Sequence, residues 1–153
     1  MAKLKAGFFS FTCCEGCTIV FIELLNTKFD EYMKKMQIVN FRQLKTDKGI
    51  KPMDIAFVEG AISTQSEVKK LKEIRDKTKI LIALGSGAVN GYPSNQRNKF
   101  PANKKKEIKN LIEKVNQNKT IEPLKKFVKV DDNVNGCPVE EKLLMKKIEG
   151  YLG

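Results

Sequence analysis

With 153 residues, 41% of them apolar, the chain can bury one real core, and it has no apolar run long enough to span a membrane. A formal charge of +11 without any histidine removes the usual base of a serine or cysteine triad and the usual ligand of a zinc hydrolase. The start, Met1-Ala2-Lys3-Leu4-Lys5, does not read as a leader, since thiols and Glu15 interrupt the apolar stretch behind it; a cytoplasmic, reducing location is expected.

In chain order, Leu4 to Ser10 is an apolar run that predicts a buried strand. A helix is expected from near Cys17 to about Lys35, interrupted at Asn26-Thr27. A short strand follows at Gln37 to Phe41, then a polar loop from Arg42 to Pro52. Asp54 to Val58 is continuously apolar, as in a strand covered on both faces, and ends at Glu59-Gly60-Ala61. Ser63 or Thr64 can cap the next helix, which runs to about Asp76 with Glu67 in its first turn. Lys79 to Leu84 is another buried strand, followed by the glycine-rich loop Gly85 to Pro93 and an irregular polar stretch, Ser94 to Pro101. An amphipathic helix is expected from Asn103 to Asn116, carrying Ile108, Leu111, Ile112 and Val115. Phe127 to Val130 reads as the last strand and Glu140 to Tyr151 as the last helix. Strands alternate with helices throughout, which predicts βαβ units: a single α/β domain over residues 1–153, with a parallel sheet flanked by helices in a flavodoxin-like layout. The runs Leu4–Ser10, Asp54–Val58 and Lys79–Leu84 lack polar alternation and are expected to be central, parallel and adjacent.

The cysteines stand out. Cys13, Cys14 and Cys17 fall on the loop between the first strand and the first helix. Cys137, in Asn135-Gly136-Cys137-Pro138, falls on a second strand-to-helix loop. Loops of this kind open at the carboxyl edge of a parallel sheet, so they can gather their thiols at one point. Cys14-Glu15-Gly16-Cys17 fits a redox pair, half of a zinc site or an iron–sulfur ligand pair, and the plain alternative is packing as small buried hydrophobes. Clustered thiolates are soft ligands, and a cysteine before proline, as at Cys137-Pro138, suits cluster proteins. Glu59 is a candidate proton carrier or hydrogen-bond anchor on the same edge. The Gly85–Gly91 loop lacks the order and the lysine of a phosphate loop. The lysines are spread as solvated helix faces, without the arginine cluster or stacking aromatics of a nucleic-acid surface; an acidic protein partner is the further option they leave.

The order Cys14-x-x-Cys17, Phe57-Val58-Glu59-Gly60-Ala61-Ile62, Ala83-Leu84-Gly85-Ser86-Gly87-Ala88-Val89-Asn90-Gly91 and Gly136-Cys137-Pro138 resembles the small subunit of nickel–iron hydrogenases, nearest the cytoplasmic archaeal and bacterial groups. It is similar, more distantly, to the 20-kilodalton subunit of respiratory NADH:quinone oxidoreductase. The resemblance covers essentially the whole chain. It implies a flavodoxin-like domain that binds one proximal 4Fe–4S cluster through Cys14, Cys17 and Cys137. It also implies docking on a large subunit that holds the nickel–iron centre, and electron transfer to a further accepting subunit. The chain itself has no ligand set for nickel, so it would be a non-catalytic subunit of an oxidoreductase complex. Phe11, Thr12, Tyr92, Pro93 and Phe100 are the expected contacts with the large subunit.

There are two departures from the pattern. The family has cysteine where this chain has Gly87, which leaves a 4Fe–4S cluster one ligand short and opens a 3Fe–4S alternative. Cys13 is a candidate substitute, as in the respiratory relatives, where tandem cysteines both serve. Many relatives also continue into a ferredoxin-like domain, for which no cysteines remain here. The alternative to an electron carrier is a degenerate docking subunit without a complete cluster. Neither a nucleic-acid partner nor a membrane span is expected.

Overall fold

The structure, a computed structural model, describes residues 2–44, 46 and 49–153. Its elements are β1 (Leu4–Ser10), α1 (Gly16–Lys35), β2 (Met36–Phe41), β3 (Met53–Glu59), α2 (Gln65–Lys77), β4 (Thr78–Leu84), α3 (Gly85–Asn90), α4 (Ala102–Lys114), β5 (Asp132–Val134) and α5 (Glu141–Leu152), with single 3-10 turns at Ser94–Lys99 and Leu124–Lys126. The strands form one sheet in the order β2-β1-β3-β4-β5, and every pairing is parallel. Ala6 pairs with Ile55 and Ile55 with Ile80, so β1, β3 and β4 are adjacent and central, as their unbroken apolar runs require. This is the doubly wound α/β architecture expected from the sequence, with helices on both faces.

Alternate residues of each strand feed two cores. On the face of α1 and α5, Phe8, Phe57 and Leu84 pack against Phe21, Leu24, Leu144 and Ile148. On the face of α2, Ala56, Val58, Leu81 and Ala83 pack against Val68, Leu71 and Ile74. Phe8 is the hub of the first core. Its ring stacks on Phe21, Phe41 and Phe57 at 4.1, 4.8 and 4.9 Å. Phe8→Ala is expected to cost about 3–5 kcal/mol in denaturant unfolding, the range for a deleted core aromatic.

Three local differences from the sequence reading, and one choice it left open, have physical causes. α1 runs unbroken through Asn26-Thr27, because Thr27 Oγ1 donates to Leu24 O at 3.3 Å, within the helix. Of the two caps the sequence offered for α2, Ser63 and Thr64, it is Thr64 that serves; its hydroxyl accepts from the Glu67 amide in a full capping box. The first part of the glycine-rich loop is a short helix, α3, entered at Gly85 with φ 81° and left at Gly91 with φ 85°. The last strand is at Asp132–Val134 rather than Phe127–Val130, because Phe127, Val128 and Val130 pack on the α2-side core instead of entering the ladder. The predicted Arg42–Pro52 loop includes residues 45, 47 and 48, which lie outside the described residues.

Asp131 fastens the edge strand. Its Oδ2 accepts from the Leu81 amide at 2.9 Å and from the Arg75 guanidinium, which also donates to Thr78 O and Lys79 O. Burial opposes the Asp131 charge, yet the Leu81 amide and the cations of Arg75 and Lys129 hold its pKa at about 2, below the usual 3.8. A depressed carboxylate stabilises the fold above its unfolded pKa, and that contribution fades as pH falls from 3.8 towards 2. Denaturant titrations across this range are expected to show the loss in the native chain and a flatter profile in Asp131→Asn.

Candidate metal centre

β1, β3 and β4 end together at Ser10, Glu59 and Leu84, and the strand order puts the topological switch point between β1 and β3. A cavity of about 190 Å³ opens there. Cys13, Cys14, Cys17 and Cys137 all line it. The other walls include Gly16, Gly60, Gly85, Gly87, Gly136 and the backbone of α3. The structure thus brings together all the cysteines singled out in the sequence, although Cys137 lies 120 positions beyond Cys17. Among the described residues, no three histidine, cysteine or carboxylate side chains converge closely enough to hold one metal ion.

Two devices bring the distant loops together. The Ser86 amide donates to Gly136 O at 2.7 Å, and Ser86 Oγ to Asn135 Oδ1 at 3.0 Å. They clasp the start of α3 to the Cys137 loop. On the other side, Thr12 pairs with Ala61 through reciprocal backbone hydrogen bonds of 3.1 and 3.0 Å. Thr12 Oγ1 also meets Ser63 Oγ at 2.6 Å and donates to Glu67 Oε1 at 3.0 Å, so the cysteine loop is pinned to the N-terminus of α2. Sequence reasoning missed the Ser86 clasp. A serine flanked by glycines carries no periodic signal.

Glu59 holds the start of α1. That helix has no side-chain cap of its own, and Glu15 before it sits at φ 61°. Glu59, only 1% exposed, reaches across from the end of β3. Its Oε2 accepts from the Cys17 and Thr18 amides at 3.0 and 3.2 Å, and its Oε1 from Thr18 Oγ1 and Ser10 Oγ at 2.7 and 3.0 Å. The carboxylate does the work of an N-cap and faces the positive end of the helix dipole. Its contacts are those of the anchor in the sequence reading. Glu59→Ala leaves buried amides unpaired and is expected to destabilise the chain by roughly 2–4 kcal/mol, read by denaturant unfolding.

The thiols differ in setting. Cys17 is buried; burial, with the nearby Glu59 carboxylate, pushes its pKa up to about 11. Cys13 is exposed as a residue, but its sulfur turns back to donate to Phe11 O at 3.5 Å and accept from the Glu15 amide at 3.4 Å. Burial of that sulfur, then Glu59, raises the Cys13 pKa to about 12. Cys14 and Cys137 are exposed at the mouth. The glycines are the space between them. Gly85 lies so close to Cys17 Sγ that a Cβ would strike the sulfur. A Cβ at Gly87 would come 3.2 Å from Gly60 Cα, so these two backbones touch.

The donor set fits an iron–sulfur group. Thiolates are soft ligands, and glycine walls let backbone close around the group without side chains in the way. Thiols that ring a cavity, rather than meet at a point, suit a polynuclear group better than a single ion.

Fold and site define a doubly wound α/β protein with a thiol-lined cavity at its switch point. More particularly, the chain belongs to the family of the NADH ubiquinone oxidoreductase 20 Kd subunit, whose pattern matches residues 14–151. It is 29% identical to the delta subunit of sulfhydrogenase 2 from Pyrococcus furiosus over 90% of this chain and 57% of that protein. It is 28% identical to the gamma chain of the coenzyme F420 hydrogenase from Methanosarcina barkeri, over 93% of this chain and 51% of that protein. The chain thus spans a little over half the length of these relatives. In fold it is similar to a chain of an NAD+-reducing [NiFe]-hydrogenase, with a TM-score of 0.87 at 22% identity over 99% of this chain and 92% of that one. For the [NiFeSe] hydrogenase of Desulfovibrio vulgaris Hildenborough the TM-score is 0.68 at 15% identity, over 97% of this chain and 59% of that one. Among the described residues no helix is long and apolar enough to cross a membrane.

Proposed function

We propose that this chain is the electron-transfer subunit of a nickel–iron hydrogenase-like complex and carries one iron–sulfur cluster in the cysteine cavity. The observation that carries the reading is the meeting of Cys13, Cys14, Cys17 and Cys137 in one cavity at the carboxyl edge of β1, β3 and β4. Cys14, Cys17 and Cys137 are the assigned ligands, with Cys13 in the fourth position in place of the family's cysteine at residue 87. The cluster, when bound, supplies one-electron storage; the chain's own residues hold it and shield it. Glu59 fixes the Cys17 amide, and the Ser86 clasp keeps Cys137 in reach. Residues 1–153 form the proximal-cluster unit, which works in the cytoplasm. Hydrogen activation belongs to the large subunit, and a further subunit accepts the electrons.

The large subunit covers the cavity mouth. Tyr92, 50% exposed, lines that cavity together with exposed Pro93, and Phe100 is a further exposed aromatic at 38%. Phe11 and Thr12 are half-buried at the same edge. Tyr92→Asp is expected to weaken retention of the large subunit at least about tenfold, read by co-purification under stepped salt, since it places a charge in an apolar contact.

The second reading is a docking subunit without a complete cluster, and Gly87 favours it. Iron and acid-labile sulfide analysis of the chain itself, purified anaerobically, decides between them. About four iron atoms per chain, or three, support the electron carrier. A metal-free chain that still binds its partner supports the second reading.

A further inference from the structure

The segment between α3 and β5 carries a surface, on α4, that the cysteine cavity does not use. α4 is amphipathic, yet none of its residues is buried. Ile108, Leu111, Ile112 and the following Val115 share one face, with Leu111 61% and Val115 52% exposed. Ile108 and Ile112 line a groove of about 500 Å³ whose other wall is Arg97, Asn98, Gln117, Lys119 and Thr120. This groove and the cysteine cavity share no lining residue.

The charge around the groove is mostly positive, with Glu113 on its wall. Residues 97–119 hold eight cations against two carboxylates, Glu107 and Glu113, which pair with Lys104 and Lys109. Among the described residues no carboxylate pairs with Arg97, Lys99, Lys105, Lys106, Lys114 or Lys119. Arg97 spends its guanidinium on neutral groups, Gln117 Oε1 and Asn118 O. An aliphatic floor between unpaired cations calls for an apolar ridge flanked by carboxylates.

We propose that the α4 groove is the docking site of an acidic protein partner, which lays an amphipathic helix between α4 and residues 117–120. The groove is concave, the shape that receives a helix rather than a flat bilayer, and its apolar stripe lacks the aromatics that anchor interfacial helices. It offers one arginine and no aromatic for stacking on nucleic-acid bases. A second copy of this chain would bring the same positive charge against it. Because the groove and the cavity mouth share no lining residue, the proposal assigns the groove a partner other than the subunit at the mouth.

The test uses the native complex, treated with a zero-length carbodiimide that joins lysines only to carboxylates in contact. Mass spectrometry is expected to find Lys105, Lys109 or Lys119 joined to aspartates or glutamates of one partner chain. The paired variant Ile112→Asp with Lys109→Glu is expected to lose that partner at least about tenfold at roughly 150 mM salt, while iron content and the large subunit stay unchanged. Lys109 is exposed and Ile112 half-buried in the groove wall, and unchanged iron content reports an intact fold. The proposal falls if the α4 lysines join only to another copy of this chain, or to no partner at all. It also falls if the variant keeps its partner, or if the native chain sediments with phosphatidylglycerol vesicles through α4. A chain that carries no iron of its own yet forms these cross-links overturns the cluster reading and leaves the docking site standing.

Discussion

Cys17→Ser is expected to strip the chain of most of its iron and sulfide. Cys17 is the buried thiol of the set, at the first turn of α1, where Glu59 fixes its backbone and Gly85 closes over its sulfur. A serine hydroxyl is a harder and shorter donor than a thiolate. Loss of even an outer partner typically lowers metal affinity about tenfold or more, and loss of a ligand exceeds that. Cys14→Ser and Cys137→Ser are expected to behave alike, with less cost to the apoprotein fold because both residues are exposed. The measurement is iron and acid-labile sulfide per chain after anaerobic purification, beside far-ultraviolet circular dichroism. Full iron content in all three variants would remove the cysteine cavity from the account.

How much of this was legible in the sequence depends on the kind of signal. The central strands were legible because residues such as Ile55, Ala56, Phe57 and Val58 can be covered only on both faces. The site's location followed, since cysteines on two strand-to-helix loops of a parallel sheet open at one edge. β5 was not legible. Its residues, Asp132-Asn133-Val134, have no apolar run, and what holds them is Asp131 bonded to Leu81 and Arg75, a contact made only in three dimensions. α3 was hidden by its glycines, which lower helix propensity but are required where Gly87 meets Gly60. Glu59 was visible as a carboxylate ending a buried strand, but its partners lie some 40 positions away, and only the structure counts four hydrogen bonds on it.

Cys13→Ser is expected to turn a four-iron signal into a three-iron one. A 4Fe–4S cube takes four ligands, and residue 87 offers none. The structure adds a reason why a side chain at 87 is disfavoured: a Cβ there comes 3.2 Å from Gly60 Cα, so the backbone must give by a few tenths of an ångström. Cys13 lies on the same cavity, and adjacent α-carbons are about 3.8 Å apart, within reach of one cluster where the loop is irregular. Residues 13–15 are irregular, between the Thr12–Ala61 bridge and the first turn of α1. Cys13 Sγ is held by hydrogen bonds of 3.5 and 3.4 Å, and a thiol is a weak donor and acceptor, so they cost little to release. Electron paramagnetic resonance and iron content of Cys13→Ser, Gly87→Cys and the double variant separate the assignments. If Cys13→Ser keeps an intact four-iron signal, Cys13 is not a ligand. If Gly87→Cys alone converts a three-iron signal into a four-iron one, the native fourth position is vacant. If the double variant restores what Cys13→Ser loses, a thiol supplied from α3 can take the place of one supplied from the β1 loop.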